Sequence, residues 1–243
     1  MRISRLIAAV AIASISLSFN ALAQNSESNA SAPAPAAATA QSAPAPVRSL
    51  TGDPEEKIIV LPGVKACDCW SRGGWTYAVF AGGGTGLNDR SDVQFAHFGV
   101  RGGRVLTTSS GQHWHSGSLE YNAEFMPYTH YFWKGQQGIS GFAFNPVLVK
   151  WNFTGTNLNR KLIPFFEVHG GFVKTTVNLP PGDTADINFT SGAGVGANYF
   201  VAPNRAVSFD IRALHLSNAS IGRHNPGINA SLQWTLGYTW YKR

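Results

Sequence analysis

A histidine and a serine extend a stripe of apolar residues near the end of the chain. The run from Arg205 to Ser217 alternates in character, as a half-buried strand does. One face of this predicted strand carries Val207, Phe209, Ile211, Ala213, His215 and Ser217. If that face meets lipid, an unpaired polar group on it costs roughly 2–7 kcal/mol to desolvate. A serine nucleophile beside its general base is one chemical reason for two polar groups in such a place.

The elements that must position these two residues are short strands. Eight stretches of roughly ten residues alternate in character and are bounded by turn residues. They lie near 75–83, 93–102, 118–127, 140–152, 162–173, 189–200, 205–216 and 231–241. In the third, Glu120 and Glu124 oppose Tyr121 and Phe125. An even number of strands, with charges on one face and aromatic residues on the other, predicts an all-β fold, an eight-stranded antiparallel outer-membrane β-barrel.

A soluble eight-stranded barrel of the lipocalin type, with its apolar side chains inside, is the competing interpretation. The density of aromatic residues on one face and a final strand that reaches the end of the chain favour the membrane form. Gly192, Gly194 and Gly196 fit the crowded interior of a small barrel. Their spacing carries no nucleotide-binding signal, because no helix follows them.

The first residues predict export. A short basic segment, an apolar stretch from Leu6 to Phe19 and the cleavage site Ala21-Leu22-Ala23 are typical of a signal peptide, which we assign to 1–23. Residues 24–69 begin with a stretch rich in Ala, Pro, Ser and Gln and are interpreted as a disordered periplasmic tether. The barrel is expected over 70–243, in the cell outer membrane.

Charge and cysteine usage narrow the classes of partner. The formal net charge is +6, and two of the arginines are lost with the signal peptide. The mild excess that remains suits an anionic surface such as phosphorylated lipid, whereas nucleic acid is an implausible partner for an exported protein. Cys67 and Cys69 form a C-x-C pair that could close as a tight disulfide in an oxidising compartment.

Two histidines have a spacing found in metal sites. His113 and His115 lie on one side of an extended segment, but no third ligand is evident in the sequence. A turn at the membrane interface, with Trp114 as its aromatic residue, is the preferred interpretation. We expect neither a metal nor any other cofactor.

Strand parity predicts the depth of His215 and Ser217. With the N-terminus in the periplasm, odd-numbered strands run outward, so the seventh strand ends at the outer rim. Both residues would then lie at the depth of the outer leaflet, which is built from lipopolysaccharide. Residues 218–230 would form an extracellular loop.

The residues around this predicted strand end resemble a known family. His215-Leu216-Ser217-Asn218-Ala219, then Asn225-Pro226-Gly227-Ile228 and one further strand, are similar to the lipid A 3-O-deacylase (PagL) family of acyloxyacyl hydrolases. The close likeness covers about 205–241, and upstream only the strand pattern is similar. The resemblance implies a barrel whose active site lies on its exterior and hydrolyses an ester-linked acyl chain of lipid A without a metal.

The resemblance also implies roles for individual residues. Ser217 would be the nucleophile and His215 the general base, two residues apart on one strand face. Asn225 matches an asparagine associated with the oxyanion hole, and Asn218 is expected to help shape the same site. The segment from Asn225 to Gly227 is also typical of a turn, and the two roles are compatible.

The loop before the last strand offers two further candidates. Arg223 and His224 could bind the phosphates of lipid A, or they could be ordinary solvated loop residues. The sequence leaves open which acyl position is cleaved and whether two barrels pair as a homodimer. A non-catalytic outer-membrane barrel with a structural or lipid-binding role is the alternative to the enzyme.

One position departs from the family pattern. The family carries a glutamate twelve residues after the serine, as the acid that orients the histidine, and this chain has Asn229 there. An amide can accept a hydrogen bond from the imidazole but supplies no charge, and in the serine-protease template this change costs about 10⁴ in rate. A working Ser-His-Asn site, an acid borrowed from Asp183 or Asp186, and a decayed triad are the alternatives. Glu167 is expected to face the interior.

Overall fold

Each of the eight alternating segments forms a strand, and the strands close into a barrel in the computed structural model. The structure describes residues 72–108, 115–154, 161–182 and 184–243. Every strand is antiparallel to its neighbours in chain order, and the first pairs with the last to complete the ring. The strands are β1 (Trp75–Gly86), β2 (Val93–Val105), β3 (Ser118–Trp133), β4 (Ile139–Asn152), β5 (Leu162–Thr175), β6 (Ile187–Ala202), β7 (Arg205–Ser217) and β8 (Ile228–Lys242). A 3₁₀ helix (Asn88–Arg90) joins β1 and β2.

The predicted eight-stranded barrel is confirmed, but several strands are longer than predicted. β3 continues past 127 to Trp133, and its register against β4 shifts between Met126 and Thr129. Pro127 and Tyr128 are both exposed at this irregularity, so the alternation changes phase there. β8 begins at Ile228, so the loop predicted at 218–230 ends at 227.

The barrel wall is apolar outside and polar inside. Phe209, Trp234 and Leu236 are typical of the outer face, where each is about half exposed. Among the described residues, the interior buries seven charged side chains, namely Arg101, Glu120, Glu124, Lys150, Glu167, Asp210 and Arg212. This arrangement rules out the soluble barrel considered above, because a lipocalin-type barrel fills its interior with apolar residues.

The buried charges pair with one another across the lumen. Arg212 donates from Nη1 and Nη2 to the two carboxylate oxygens of Glu124, at 3.0 Å each. Arg101 Nε donates to the same carboxylate at 2.8 Å, and Arg212 Nε lies 2.6 Å from Glu167 Oε1. Glu167 therefore faces the interior, as predicted. Four strands (β2, β3, β5 and β7) contribute to this network, which fills the middle of the barrel.

Glycines on β6 make room for these large side chains. A Cβ at Gly194 would meet the Arg212 side chain at 2.7 Å, and one at Gly192 would meet the His169 ring at 2.6 Å. The prediction that the β6 glycines serve a crowded interior is thus confirmed. Two apolar clusters lie along the wall on either side of the charged layer, a larger one around Phe95 and Trp133 and a smaller one around Phe200.

The two ends of the barrel differ in what they carry. Trp75 and Lys242 lie together at one end, and β1, β3, β5 and β7 all end at the opposite one, which we call the far rim. The far rim carries the described residues of the loops 87–92, 134–138, 176–186 (without 183) and 218–227. The predicted signal peptide (1–23), the tether (24–69) with Cys67 and Cys69, His113, Trp114 and Asp183 lie outside the described residues.

Candidate functional site

His215 and Ser217 lie on the outer face of the barrel, at the end of β7. Along this strand Phe209, Ile211 and Ala213 are exposed, and the same alternation carries on to the partly buried His215 and Ser217. Ser217 is the last residue of β7 and therefore stands at the far rim. The predicted placement of both residues on one outward stripe is confirmed, while their chemical roles stay predictions.

The neighbouring strand β6 sets two residues beside this pair. Phe189 is the register partner of Ser217, and Ser191 is the register partner of His215. Residues directly opposite on antiparallel strands have their Cβ atoms about 4.5–5.5 Å apart and share a face. Two serines therefore neighbour His215 on the outer face, Ser217 on the same strand and Ser191 on the adjacent strand.

On the other side of β7, a bulge in β8 brings Asn229 level with His215. The register of the two strands shifts between Leu214 and Leu216, whose partners on β8 lie three residues apart instead of two. Two β8 residues, Asn229 and Ala230, consequently stand opposite the single residue His215. The position expected to hold the acid of a triad is thus on the adjacent strand, at the level of the histidine.

The chain reverses sharply immediately after Ser217. The Ile221 N–H donates to the Asn218 carbonyl at 3.0 Å, closing a β-turn. The two central residues, Ala219 and Ser220, have φ of +50° and +63°. Both are in the left-handed region that glycine and asparagine favour, at a cost of roughly 1–2 kcal/mol per residue for an ordinary side chain. This turn keeps the candidate nucleophile at the very end of its strand.

Asn218 holds the loop 218–227 together from within. Its side chain is buried, donates from Nδ2 to the His224 carbonyl at 2.8 Å and accepts the Ser220 N–H on Oδ1 at 2.9 Å. Its backbone N–H donates to Asn225 Oδ1 at 3.0 Å. Asn218 and Asn225, the two residues predicted for the oxyanion hole, are therefore joined directly, one residue beyond Ser217.

The hydrogen bond between these two residues fixes the orientation of the Asn225 amide. A backbone N–H can only donate, so the oxygen of the Asn225 side chain must face it. The NH₂ group of this exposed side chain then points away from Asn218 and can donate elsewhere. Such a donor is what a developing oxyanion requires.

The remaining predicted residues are arranged around the loop 218–227. Arg223 and His224 are exposed at the far rim, where a bound anion could reach them. Asp186 forms an ion pair with Lys174 at the top of β5. Since that partner already matches its charge, Asp186 is a poor source of a carboxylate for His215.

A second histidine–serine pair lies elsewhere on the outer face and was missed by the sequence analysis. His130 Nδ1 on β3 is 2.8 Å from Ser140 Oγ on β4, and the Tyr128 hydroxyl is 3.3 Å from the same nitrogen. The two residues meet only because β3 and β4 pair in that register. Nothing in their sequence spacing could have indicated the contact.

The described residues contain no group of three or more His, Cys, Asp or Glu side chains that could hold a metal ion. Within the same residues, no helix has the length and apolar character needed to cross a membrane.

The fold and the outward histidine–serine stripe define a class, an outer-membrane barrel that carries a histidine and a serine on the outer face of its wall. Residues 99–239 match the model of the lipid A 3-O-deacylase (PagL) family, and the chain belongs to that family. The family resemblance inferred from residues 205–241 is thereby confirmed. No curated protein matches the chain.

Solved outer-membrane barrels are similar to the chain in fold. The crystal structure of the outer membrane enzyme PagL has 21% identity and a TM-score of 0.43, with 67% of this chain and 98% of that chain covered. Neisserial surface protein A has 15% identity and a TM-score of 0.43, with 69% and 96% covered. The outer membrane protein OprG from Pseudomonas aeruginosa has 8% identity and a TM-score of 0.40, with 73% and 98% covered.

Proposed function

We propose that the protein is an outer-membrane serine esterase that hydrolyses an ester-linked acyl chain of lipid A. The observation that carries this proposal is the outward stripe of β7, which places His215 and Ser217 on the outer face of the barrel at the far rim. The chain belongs to a family of lipid A deacylases, which supports the same substrate. The far rim would then face the outer leaflet, where lipid A is found.

The reaction follows from the chemistry of the two side chains. His215 removes the proton of Ser217 Oγ, and the oxygen attacks the ester carbonyl to form a tetrahedral intermediate. The Asn225 NH₂ donates to the oxyanion of that intermediate. The intermediate collapses, the sugar oxygen leaves with the proton from His215, and the acyl chain remains on Ser217. Water, deprotonated by His215, then releases the fatty acid.

Asn229 occupies the position of the acid in this scheme. The β8 bulge sets its backbone level with His215, which supports a role in orienting the imidazole. As an amide it would accept a hydrogen bond from the ring without balancing the charge of the imidazolium. We therefore propose a working but slow Ser-His-Asn site, which a carboxylate at position 229 should accelerate.

Arg223 and His224 are proposed to contact the phosphates of lipid A. Both are exposed in the loop that follows Ser217, at the rim where the headgroup of an outer-leaflet lipid would lie. A guanidinium forms charge-assisted, frequently bidentate hydrogen bonds with phosphate. Binding there would hold the sugar while the acyl chain lies along the apolar wall.

Mass spectrometry of lipid A from cells that express the protein tests the proposal. Wild type should remove one acyl chain, Ser217→Ala should remove none, and Asn229→Glu should remove it faster. Ser191→Ala is the matched control, because this serine also faces His215 and should be dispensable. Loss of activity in Ser191→Ala alone would reassign the nucleophile.

The alternative is a non-catalytic barrel whose triad decayed at Asn229. It predicts no deacylation by wild type, given confirmed insertion into the membrane. Labelling with a fluorophosphonate, which reacts with activated serines, distinguishes the esterase from the non-catalytic barrel and identifies the reactive serine. The label should be found on Ser217 and not on Ser140, the serine of the second histidine–serine pair. A label on neither serine would support the inert barrel.

A further inference from the structure

A groove with a mixed polar and apolar lining lies at the far rim, separate from the loop that follows Ser217. It is an open depression of about 560 Å³ between the loops 134–138 and 176–186. Its walls combine polar side chains, among them Gln136, Gln137, Asn178 and Asp186, with apolar ones such as Ile139 and Val177. The volume falls in the range of small-ligand sites, roughly 300–1,000 Å³.

The chemistry of the groove favours a neutral ligand rich in hydroxyl groups. The side chains of Gln136, Gln137 and Asn178 are amides, which can both donate and accept hydrogen bonds. Asp186 is the one ionisable group among the described lining residues, and Lys174 already balances its charge. A phosphate would meet a carboxylate here without an unpaired cation, whereas sugar hydroxyls would find donors and acceptors on both sides.

Both walls of the groove are held by contacts within the fold. In one wall, Asn178 Nδ2 donates to the Gly182 carbonyl at 2.9 Å, and the Thr184 hydroxyl donates to the Pro180 carbonyl. In the other, Gly138 lies against the ring of His130, where a Cβ would clash. The groove is therefore preformed, which lowers the entropy cost of binding.

The groove is connected to the candidate active site through one shared loop. Gly222, in the loop that follows Ser217, packs against the backbone carbonyl of Thr184, and a Cβ there would meet that carbonyl. Loop 176–186 thus forms a wall of the groove on one side and contacts the loop 218–227 on the other. A molecule whose acyl chain reaches Ser217 could place its polar end over this loop.

We propose that the groove binds the saccharide portion of lipopolysaccharide, namely neutral hexoses of its core oligosaccharide. This inference rests on the proposed function, since it assigns a second subsite to the same substrate. The sugars would occupy the groove while the lipid A portion lies between it and β7. The groove would make the protein prefer lipopolysaccharide that carries its sugars over free lipid A.

The test compares the two substrates in the full-length protein. The variant Gln136→Ala/Gln137→Ala removes two amides that are exposed in the groove, and Asn204→Ala removes an exposed amide at the opposite rim as the matched control. With lipopolysaccharide, kcat/KM of the double variant should fall about tenfold, as expected for two hydrogen bonds. With free lipid A it should stay unchanged, and the control should match wild type on both substrates.

Two results would overturn the proposal, an equal loss on both substrates or no loss on either. If wild type cleaves neither substrate, the proposed function fails, and direct binding decides the inference by itself. The probe is then the lipid-free core oligosaccharide released from lipopolysaccharide by mild acid. Binding to wild type and Asn204→Ala that is lost in the double variant supports the subsite. Absence of binding to wild type overturns it.

Discussion

The two polar groups of the Asn225 side chain, its amide oxygen and its NH₂ group, are expected to have different roles. Its oxygen accepts the Asn218 N–H and thereby helps shape the loop after Ser217, while its NH₂ group remains for a ligand. The structural and the chemical contribution of this amide can therefore be separated by a substitution that removes the NH₂ donor and keeps an oxygen acceptor. The predicted double role of the segment from Asn225 to Gly227 is open to direct test in this way.

Asn225→Asp should preserve the conformation of the loop 218–227 and remove the NH₂ donor. The carboxylate still accepts the Asn218 N–H but offers no hydrogen to an oxyanion and adds a negative charge near it. We expect kcat to fall about 10²–10³-fold, as for other oxyanion donors, with the free energy of unfolding unchanged. Steady-state kinetics and urea unfolding of both Asn225→Asp and Asn225→Ala measure the two effects. Wild-type kcat in Asn225→Asp would remove Asn225 from the mechanism.

At the scale of residues, the sequence identified the outward stripe but not the contacts around it. Alternation along β7 is enough to place His215 and Ser217 on one face. The partners of Asn218 depend on a turn formed by Ala219 and Ser220, neither of which is typical of left-handed backbone. The pair of His130 and Ser140 depends on strand register, which spacing in the sequence does not encode.

At the scale of elements, bulges explain where the strand predictions stopped. Alternation has a period of two, so one inserted residue moves all later side chains to the other face. The prediction ended β3 at 127 and began β8 at 231, and the structure has register shifts close to both positions. The regular strands were predictable from the alternation of polar and apolar residues. The bulge that brings Asn229 level with His215 interrupts this alternation, so it could not be predicted in the same way.

The turn after Ser217 stores backbone strain that a glycine should release. Ala219→Gly should raise the free energy of unfolding by about 1 kcal/mol, because glycine adopts positive φ without a steric penalty. Ala213→Gly, the same change on the extended backbone of β7, should lower it by roughly 0.5–1 kcal/mol. Urea unfolding from lipid vesicles measures both. Equal signs for the two variants would contradict the strain at Ala219.

At the scale of the whole molecule, the buried charges form an ion-pair network that joins strands across the lumen. The Glu124 carboxylate on β3 accepts hydrogen bonds from Arg212 on β7 and from Arg101 on β2. Strands on different sides of the ring are thus joined through one side chain. The alternation of charged and aromatic residues along the strands indicated that charges would lie inside. Which charges pair with one another depends on the register in which the ring closes.

Removing the central carboxylate should strongly destabilise the barrel. Glu124→Gln leaves two buried guanidinium groups with less compensation, which costs about 3–5 kcal/mol in comparable buried pairs. Lys174→Gln breaks the partly exposed ion pair with Asp186 and should cost less than about 1 kcal/mol. Urea unfolding of both variants provides the comparison. A similar small loss in both would mean that the buried network contributes little.

The closed lumen and the outward stripe together determine how a substrate can arrive. Under the proposed function, a lipid substrate would reach the outward-facing Ser217 sideways, by diffusion within its own leaflet. The encounter is two-dimensional, so the rate should follow the mole fraction of substrate in the surface and not its concentration in the solution. In mixed micelles, added inert detergent should slow hydrolysis in proportion at constant bulk substrate. For an esterase of this design, the surface density of substrate in the membrane plane would set the rate of hydrolysis.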